Sequence, residues 1–119
     1  MRGSQSQNGF SFELREGGYY SIVDGDRFAI AKVLKLDPDK VHVRIYKQHF
    51  LERPISINPS LLTLGTIHDP DGFGMGHLPL RPETFHRREP VFISESPVTA
   101  SELEGYEFWR ESGGEGVWE

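Results

Sequence analysis

The fold is decided by residues 27–50, which read RFAIAKVLKLDPDKVHVRIYKQHF. Two runs rich in β-branched and aromatic residues flank the tetrapeptide Asp-Pro-Asp-Lys at 37–40. Proline sets the backbone angle needed at the first corner of a type I turn, and aspartates favour the flanks of such a turn. We therefore predict an antiparallel hairpin in which residues 28–36 pair with residues 41–49.

The second strand of this hairpin has two chemically different faces. Val41, Val43 and Ile45 alternate along the strand and share one face, which we expect to be buried. The opposite face is expected to point to solvent, and small barrels bind nucleic acid through basic and aromatic faces of this kind. A nucleic-acid site is thus one alternative interpretation, and its residues would be Lys35, Lys40, His42, Arg44 and Tyr46. The net charge of −5 argues against nucleic acid as the partner.

Shorter elements surround the hairpin. Strand-like patterns lie at residues 10–14, 19–23 and 90–94. Residues 54–66 fit either short strands or a helical turn. The run 68–80 contains three glycines and two prolines, and we predict that it is a loop. Short strands at this spacing predict a mainly β fold, either a small antiparallel barrel, SH3-like in our first interpretation, or a strongly bent sheet. One short C-terminal helix completes this fold. The alternative is an α+β sheet covered by the helix.

The C-terminal segment has the pattern of a helix. Thr99 followed by Glu102 fits a capping box, and Gly113-Gly114 is typical of a helix end. Gly105 lowers the stability of such a short helix, so we expect the helix to depend on docking against the sheet. Its apolar stripe comprises Leu103, Tyr106 and Trp109.

Length and composition favour one folded domain at residues 10–119, preceded by a disordered tail at residues 1–9. The chain has no cysteine, which excludes disulfides, thiolate catalysis and cysteine-based metal sites, and favours a cytoplasmic location. No stretch reaches the ~18 apolar residues of a membrane span, so we expect a soluble protein that does not contact a membrane.

Four potential metal ligands occur close together in the run that we predict to be a loop. Imidazole and carboxylate groups are ordinary zinc ligands, so a small metal-dependent enzyme is a second alternative. The candidate ligands are His68, Asp69, Asp71 and His77. The plainer interpretation is a solvated turn, since no metalloprotease pattern or nucleophile elbow occurs in the chain. We expect no catalytic site and no cofactor.

The acidic C-terminal segment suggests the function that we favour. Residues 89–119 contain eight glutamates and only one basic residue, Arg110. Aromatic side chains left at a surface are common at protein interfaces, so we expect a non-enzymatic module that binds another protein. The expected contact residues are Glu104, Tyr106, Glu107, Trp109 and Trp118. One specific version of this module is a small bacterial inhibitor of the immunity or antitoxin kind. The sequence does not predict the oligomeric state.

Overall fold

The computed structural model describes residues 14–70 and 72–117. Five antiparallel strands form one sheet in the order β4-β3-β2-β1-β5. The strands are β1 Gly18–Asp24, β2 Arg27–Asp37, β3 Lys40–Phe50, β4 Met75–Leu80 and β5 Val91–Glu95. The helices are α1 Pro82–His86 and α2 Glu104–Glu111, and a single 3₁₀ turn spans Pro59–Leu61.

This architecture confirms the prediction of a mainly β fold with one short C-terminal helix. Of the two predicted forms, the structure has the sheet rather than the barrel, because within the described residues β4 and β5 are free edges that do not pair with each other. The expected strand at residues 10–14 and the expected tail at residues 1–9 lie outside the described residues, apart from Leu14. Within the described ranges, no helix has both the length and the apolar character that a membrane crossing needs.

Strands β2 and β3 form the predicted hairpin. Asp37 pairs with Lys40 across the turn, which closes the ladder where the sequence placed the corner. Val41 and Val43 are buried as expected, and Ile45 is partly buried against the same core. The turn chemistry of four residues is thus sufficient to set the register of this hairpin near its corner.

Both faces of the sheet are covered. On one side, which we call the α1 face, an apolar core comprises Tyr20, Ile22, Ala29, Ala31, Val33, Val41, Val43, Leu78, Leu80 and Phe85. On the other side, the α2 face, Tyr19, Ile30 and Tyr46 pack with partly buried residues that include Ile57, Leu62 and Ile93. The expectation that His42, Arg44 and Tyr46 face solvent is therefore wrong. His42 is 0% exposed and Tyr46 is 6% exposed, because later segments of the chain fold over this face.

Strand β4 corrects the prediction of a loop throughout residues 68–80. Residues 75–80 pair with β3, and Pro79 lies opposite His42. Proline has no N–H to donate, but an edge strand needs hydrogen bonds on one side only, so β4 accommodates it. A side chain at Gly74 would collide with the Ile45 carbonyl, which explains why glycine precedes the strand. This strand brings His77 beside the hairpin.

Candidate functional site

The predicted capping box is present before α2. The Thr99 N–H donates to Glu102 Oε1 at 2.8 Å, and the Glu102 N–H donates to Thr99 Oγ1 at 3.2 Å. Each side chain thereby satisfies a backbone donor that a helix start leaves unpaired. Regular helix begins two residues after Glu102, at Glu104, and residues 101–103 form turns.

The two glycines end α2 as predicted. The Gly113 N–H donates to the Arg110 carbonyl at 3.1 Å, and the Gly114 N–H donates to the Trp109 carbonyl at 3.0 Å. This pair of bonds is a Schellman motif, which requires a residue of positive φ after the helix. Gly113, with φ of 113°, supplies it.

The inner side of α2 docks on two histidines. Tyr106 and Trp109 each place their ring centroid 4.7 Å from that of His42. Gly105 lies directly above His77, where an added Cβ would come within 2.7 Å of the His77 Cβ. The prediction that α2 docks on the sheet through Leu103, Tyr106 and Trp109 is therefore confirmed for Tyr106 and Trp109. Their partner on the sheet is the imidazole ring of His42.

The two histidines form a hydrogen-bonded chain with an aspartate. His42 Nε2 lies 2.7 Å from Asp37 Oδ2, and His42 Nδ1 lies 3.0 Å from His77 Nε2. A carboxylate can only accept, so we assign the Nε2 proton of His42 to the bond with Asp37. The Nδ1 atom of neutral His42 then accepts a hydrogen bond from the Nε2–H of His77. The two rings are nearly coplanar, with an interplanar angle of 11° and their centroids 5.2 Å apart.

Burial keeps both imidazoles neutral. Burial, together with the smaller effect of a charge on His42, lowers the pKa of His77 to about 4. Burial also lowers the pKa of His42, although its bond to Asp37 opposes this effect. Because removal from water disfavours the charged form, the pair is held in its neutral state at neutral pH.

The segment leading into α2 is fixed by a buried lysine. Lys32 is 2% exposed, and its ammonium donates to Ser96 Oγ at 3.1 Å, to the Pro97 carbonyl at 3.2 Å and to both Glu102 oxygens at 3.0 Å. Burial alone would raise the pKa of Glu102, but the Thr99 N–H and the Lys32 ammonium outweigh it, and the pKa is lowered. We call residues 96–102 the strap. The Glu102 carboxylate is thus largely removed from water, unlike Glu104 and Glu111.

The outer side of α2 combines acidic groups with one exposed aromatic ring. Phe108 is 74% exposed, and Glu104 and Glu111 are also exposed. Glu107 is half-exposed and accepts from Arg110. Residues three, four and seven apart share one helix face, so the three glutamates lie on the same side of α2 as Phe108 and next to it. Within residues 14–70 and 72–117, Glu104 and Glu111 have no ion-pair partner.

The structure divides the predicted contact residues into two groups. Glu104 and Glu107 lie on the outer side of α2, whereas Tyr106 and Trp109 hold the helix to the sheet. Tyr106 is buried, so it cannot contact a partner, and Trp118 lies outside the described residues. Phe108 was missed, although helical spacing alone places it four residues after Glu104 and three before Glu111.

The predicted metal ligands do not come together. His68 is exposed, Asp69 accepts from Lys47 Nζ at 2.9 Å and from the Thr66 N–H at 3.1 Å, and His77 bonds to His42. Asp71 lies outside the described residues. Among the residues that the structure describes, no three histidine, aspartate or glutamate side chains are placed to hold a metal ion.

The residues of the predicted nucleic-acid patch do not form an exposed basic surface. His42 and Tyr46 are buried, and Lys35 is partly buried. Arg44 donates to the Gly76 carbonyl at 3.3 Å. Lys40 bonds to Asp39 and lies 5.7 Å from the centroid of the Trp109 ring. The charged groups of Arg44 and Lys40 are thus engaged by neighbouring parts of the fold.

Asp37, His42 and His77 are linked by hydrogen bonds in the order carboxylate, imidazole, imidazole, and such an arrangement can form a general base. A general base must reach its substrate, so one of the imidazoles would have to line a cavity. A cleft of about 450 Å³ opens beside the hairpin turn, and it is lined by Pro38, Asp39, Lys40, Arg81, Pro82, Glu83 and Val117. Neither imidazole lines this cleft, and α2 covers both. The hydrogen-bonded histidines lie directly beneath α2, in contact with Tyr106, Trp109 and Gly105.

Comparison of this chain with models of protein families, with curated proteins and with solved structures gives no match.

Proposed function

We propose that this chain is a non-enzymatic protein-binding module that recognises a basic protein surface through the outer face of α2. The observation that supports this proposal is the exposure of Phe108, at 74%, on the outer side of α2 beside Glu104, Glu107 and Glu111. The proposed binding face consists of these four residues.

The composition of this face matches the anatomy of a protein interface. A large apolar side chain contributes to binding when a partner pocket removes it from water, and aromatic residues are enriched at interface centres. Charged groups at the rim contribute more to the association rate and to the choice of partner than to affinity. Phe108 would thus be the anchor, and the glutamates would select a partner with lysine or arginine around an apolar pocket.

One specific form of this proposal is an inhibitor of the immunity or antitoxin kind, whose acidic face covers a basic site on a toxin. The negative charge of the binding face supports a protein with a basic surface, such as the toxin, as its partner. The same charges argue against a nucleic acid, because phosphates and glutamates repel each other.

The test compares two exposed apolar residues. Wild type, Phe108→Ala and Ile55→Ala would be used as baits in an extract of the native host, and a protein retained by the wild type would be identified and purified. Its dissociation constant for each variant would then be measured by calorimetry. We expect Phe108→Ala to weaken binding by about 30-fold or more, the effect of losing a hot-spot residue. Ile55, which is 90% exposed and far along the chain from α2, should be replaceable without effect.

A charge-reversed variant tests the choice of partner. Glu104→Lys with Glu111→Lys should slow association and reverse its dependence on salt, since favourable steering becomes repulsion. The proposal is wrong if the retained protein is acidic, or if Phe108→Ala binds it as tightly as the wild type does.

A further inference from the structure

We propose that the His42–His77 pair is a proton-operated latch, which holds α2 on the sheet at neutral pH and releases it in acid. The latch would control the presentation of the binding face on α2, and this consequence rests on the function proposed above.

The geometry of the pair limits the number of protons that it can hold. In the neutral pair, the single contact between His42 Nδ1 and His77 Nε2, at 3.0 Å, contains one proton. One added proton is still compatible with this contact, because a His42 imidazolium can donate to a neutral His77. With two added protons, both nitrogens carry hydrogen, so the bond is lost and two positive charges face each other.

The charged groups around the pair are few. Asp37, at the end of β2, accepts from His42 and favours its protonation, and Asp39 in the hairpin turn acts in the same direction. Lys40, at the start of β3, opposes it. The titratable group that α2 contributes is the Tyr106 phenol, since Trp109 does not titrate, and His77 is the group from β4. Asp37 can therefore compensate one imidazolium, whereas no carboxylate among residues 14–70 and 72–117 favours a charge on His77.

Release would be confined to α2. The helix rests on the pair through the rings of Tyr106 and Trp109 and through Gly105, so repulsion within the pair acts directly on its docking surface. The strap is held separately by Lys32, and the lowered pKa of Glu102 keeps that ion pair intact when the histidines take up protons. The released helix would remain tethered beside the sheet.

The pH range follows from the two states of His77. When α2 is released, the imidazole returns to water and to its ordinary pKa of 6.5, whereas in the docked state burial holds this pKa at about 4. The released state then binds more protons between these values, so docking is complete above pH 6.5 and is lost progressively as the pH falls toward 4. For each additional proton that the released state binds relative to the docked state, the released population changes about tenfold per pH unit.

Amide hydrogen exchange of the full chain tests the latch without a partner. After correction for intrinsic rates, protection of residues 104–111 should fall about tenfold per pH unit below pH 6.5, while β2 and β3 stay protected. The matched variant is His77→Gln, whose side-chain amide can still donate to His42 but does not titrate. In this variant, α2 should stay protected down to about pH 4.

Three outcomes would overturn the latch: protection of residues 104–111 that does not change with pH, loss of protection in His77→Gln at the same pH as in the wild type, or simultaneous loss across the whole sheet. If His77→Gln does not fold, the ring signals of His77 in the wild type, followed by NMR, should titrate together with the loss of protection.

Binding at neutral pH separates the two proposals. If Phe108→Ala loses affinity but the protection of α2 does not depend on pH, only the latch is wrong. If the protection of α2 depends on pH but Phe108→Ala binds normally, only the proposed function is wrong.

Discussion

Lys32 shows how a single charged residue can be placed inside this fold. An ammonium group removed from water is costly unless its hydrogens find acceptors, and a partner of opposite charge is needed as well. The strap supplies both, through the hydroxyl of Ser96, the carbonyl of Pro97 and the carboxylate of Glu102. The lysine in an otherwise apolar run of β2 therefore determines where the C-terminal segment crosses the sheet.

Replacement of this lysine should leave the Glu102 carboxylate without its partner. We expect Lys32→Met to lower the free energy of unfolding by about 3–5 kcal/mol, the cost of breaking a buried ion pair on one side. The ion pair of Arg15 and Glu95 is exposed on both sides, so Arg15→Met should cost at most about 1 kcal/mol. Urea denaturation measures both. Equal effects would contradict the role given to Lys32, and Lys32→Met with Glu102→Leu should recover much of the loss.

At the scale of the element, α2 has an inner and an outer side with separate roles. Tyr106 is 7% exposed and Phe108 is 74% exposed, although the two aromatic residues are only two positions apart. The inner ring stabilises docking, and the outer ring is available to a partner. Stability and binding should therefore respond to different substitutions in the same helix.

Alanine at each position separates these roles. Tyr106→Ala should lower the free energy of unfolding by about 3–5 kcal/mol, as truncation of a buried aromatic residue does. Phe108→Ala should change it by no more than about 0.5 kcal/mol, because its ring is in water in the isolated chain. Thermal or urea unfolding of the two variants provides the comparison. A large loss of stability in Phe108→Ala would mean that its ring packs within the fold.

The elements that could be predicted from the sequence are those fixed by local chemistry. The hairpin depends on the turn at 37–40, and the ends of α2 depend on Thr99, Glu102 and two glycines. Strand β4 was missed because its glycine and proline are typical of loops, and only its position at the edge of the sheet makes them acceptable. That position is a property of the assembled sheet.

The candidate site was predictable to a similar extent. The acidic residues of α2 are visible as a run of glutamates, and helical spacing would also have identified Phe108. The contact between His42 and His77 was not predictable, because it joins residues 35 positions apart through the pairing of β3 with β4. The burial of His42 likewise depends on a helix that follows it by some sixty residues.

At the scale of the whole molecule, both faces of the sheet are covered, and this explains the composition of β2. A strand covered on one side alternates apolar and polar residues, whereas one covered on both sides is apolar along its length. Residues 28–34 are almost continuously apolar for this reason, with Lys32 as the exception that the strap accommodates. The acidic outer side of α2 is thus presented by a helix that lies on top of a two-sided core.

The central claim, that a basic partner docks on the outer side of α2, is tested most directly by cross-linking in the native host. A photoreactive phenylalanine analogue would replace Phe108 in one variant and Ile55 in another. We predict a covalent adduct with one basic protein from position 108, none from position 55, and loss of the adduct when Glu104→Lys and Glu111→Lys are added. An adduct of equal yield from position 55, an adduct that survives charge reversal, or none from position 108 would contradict the claim.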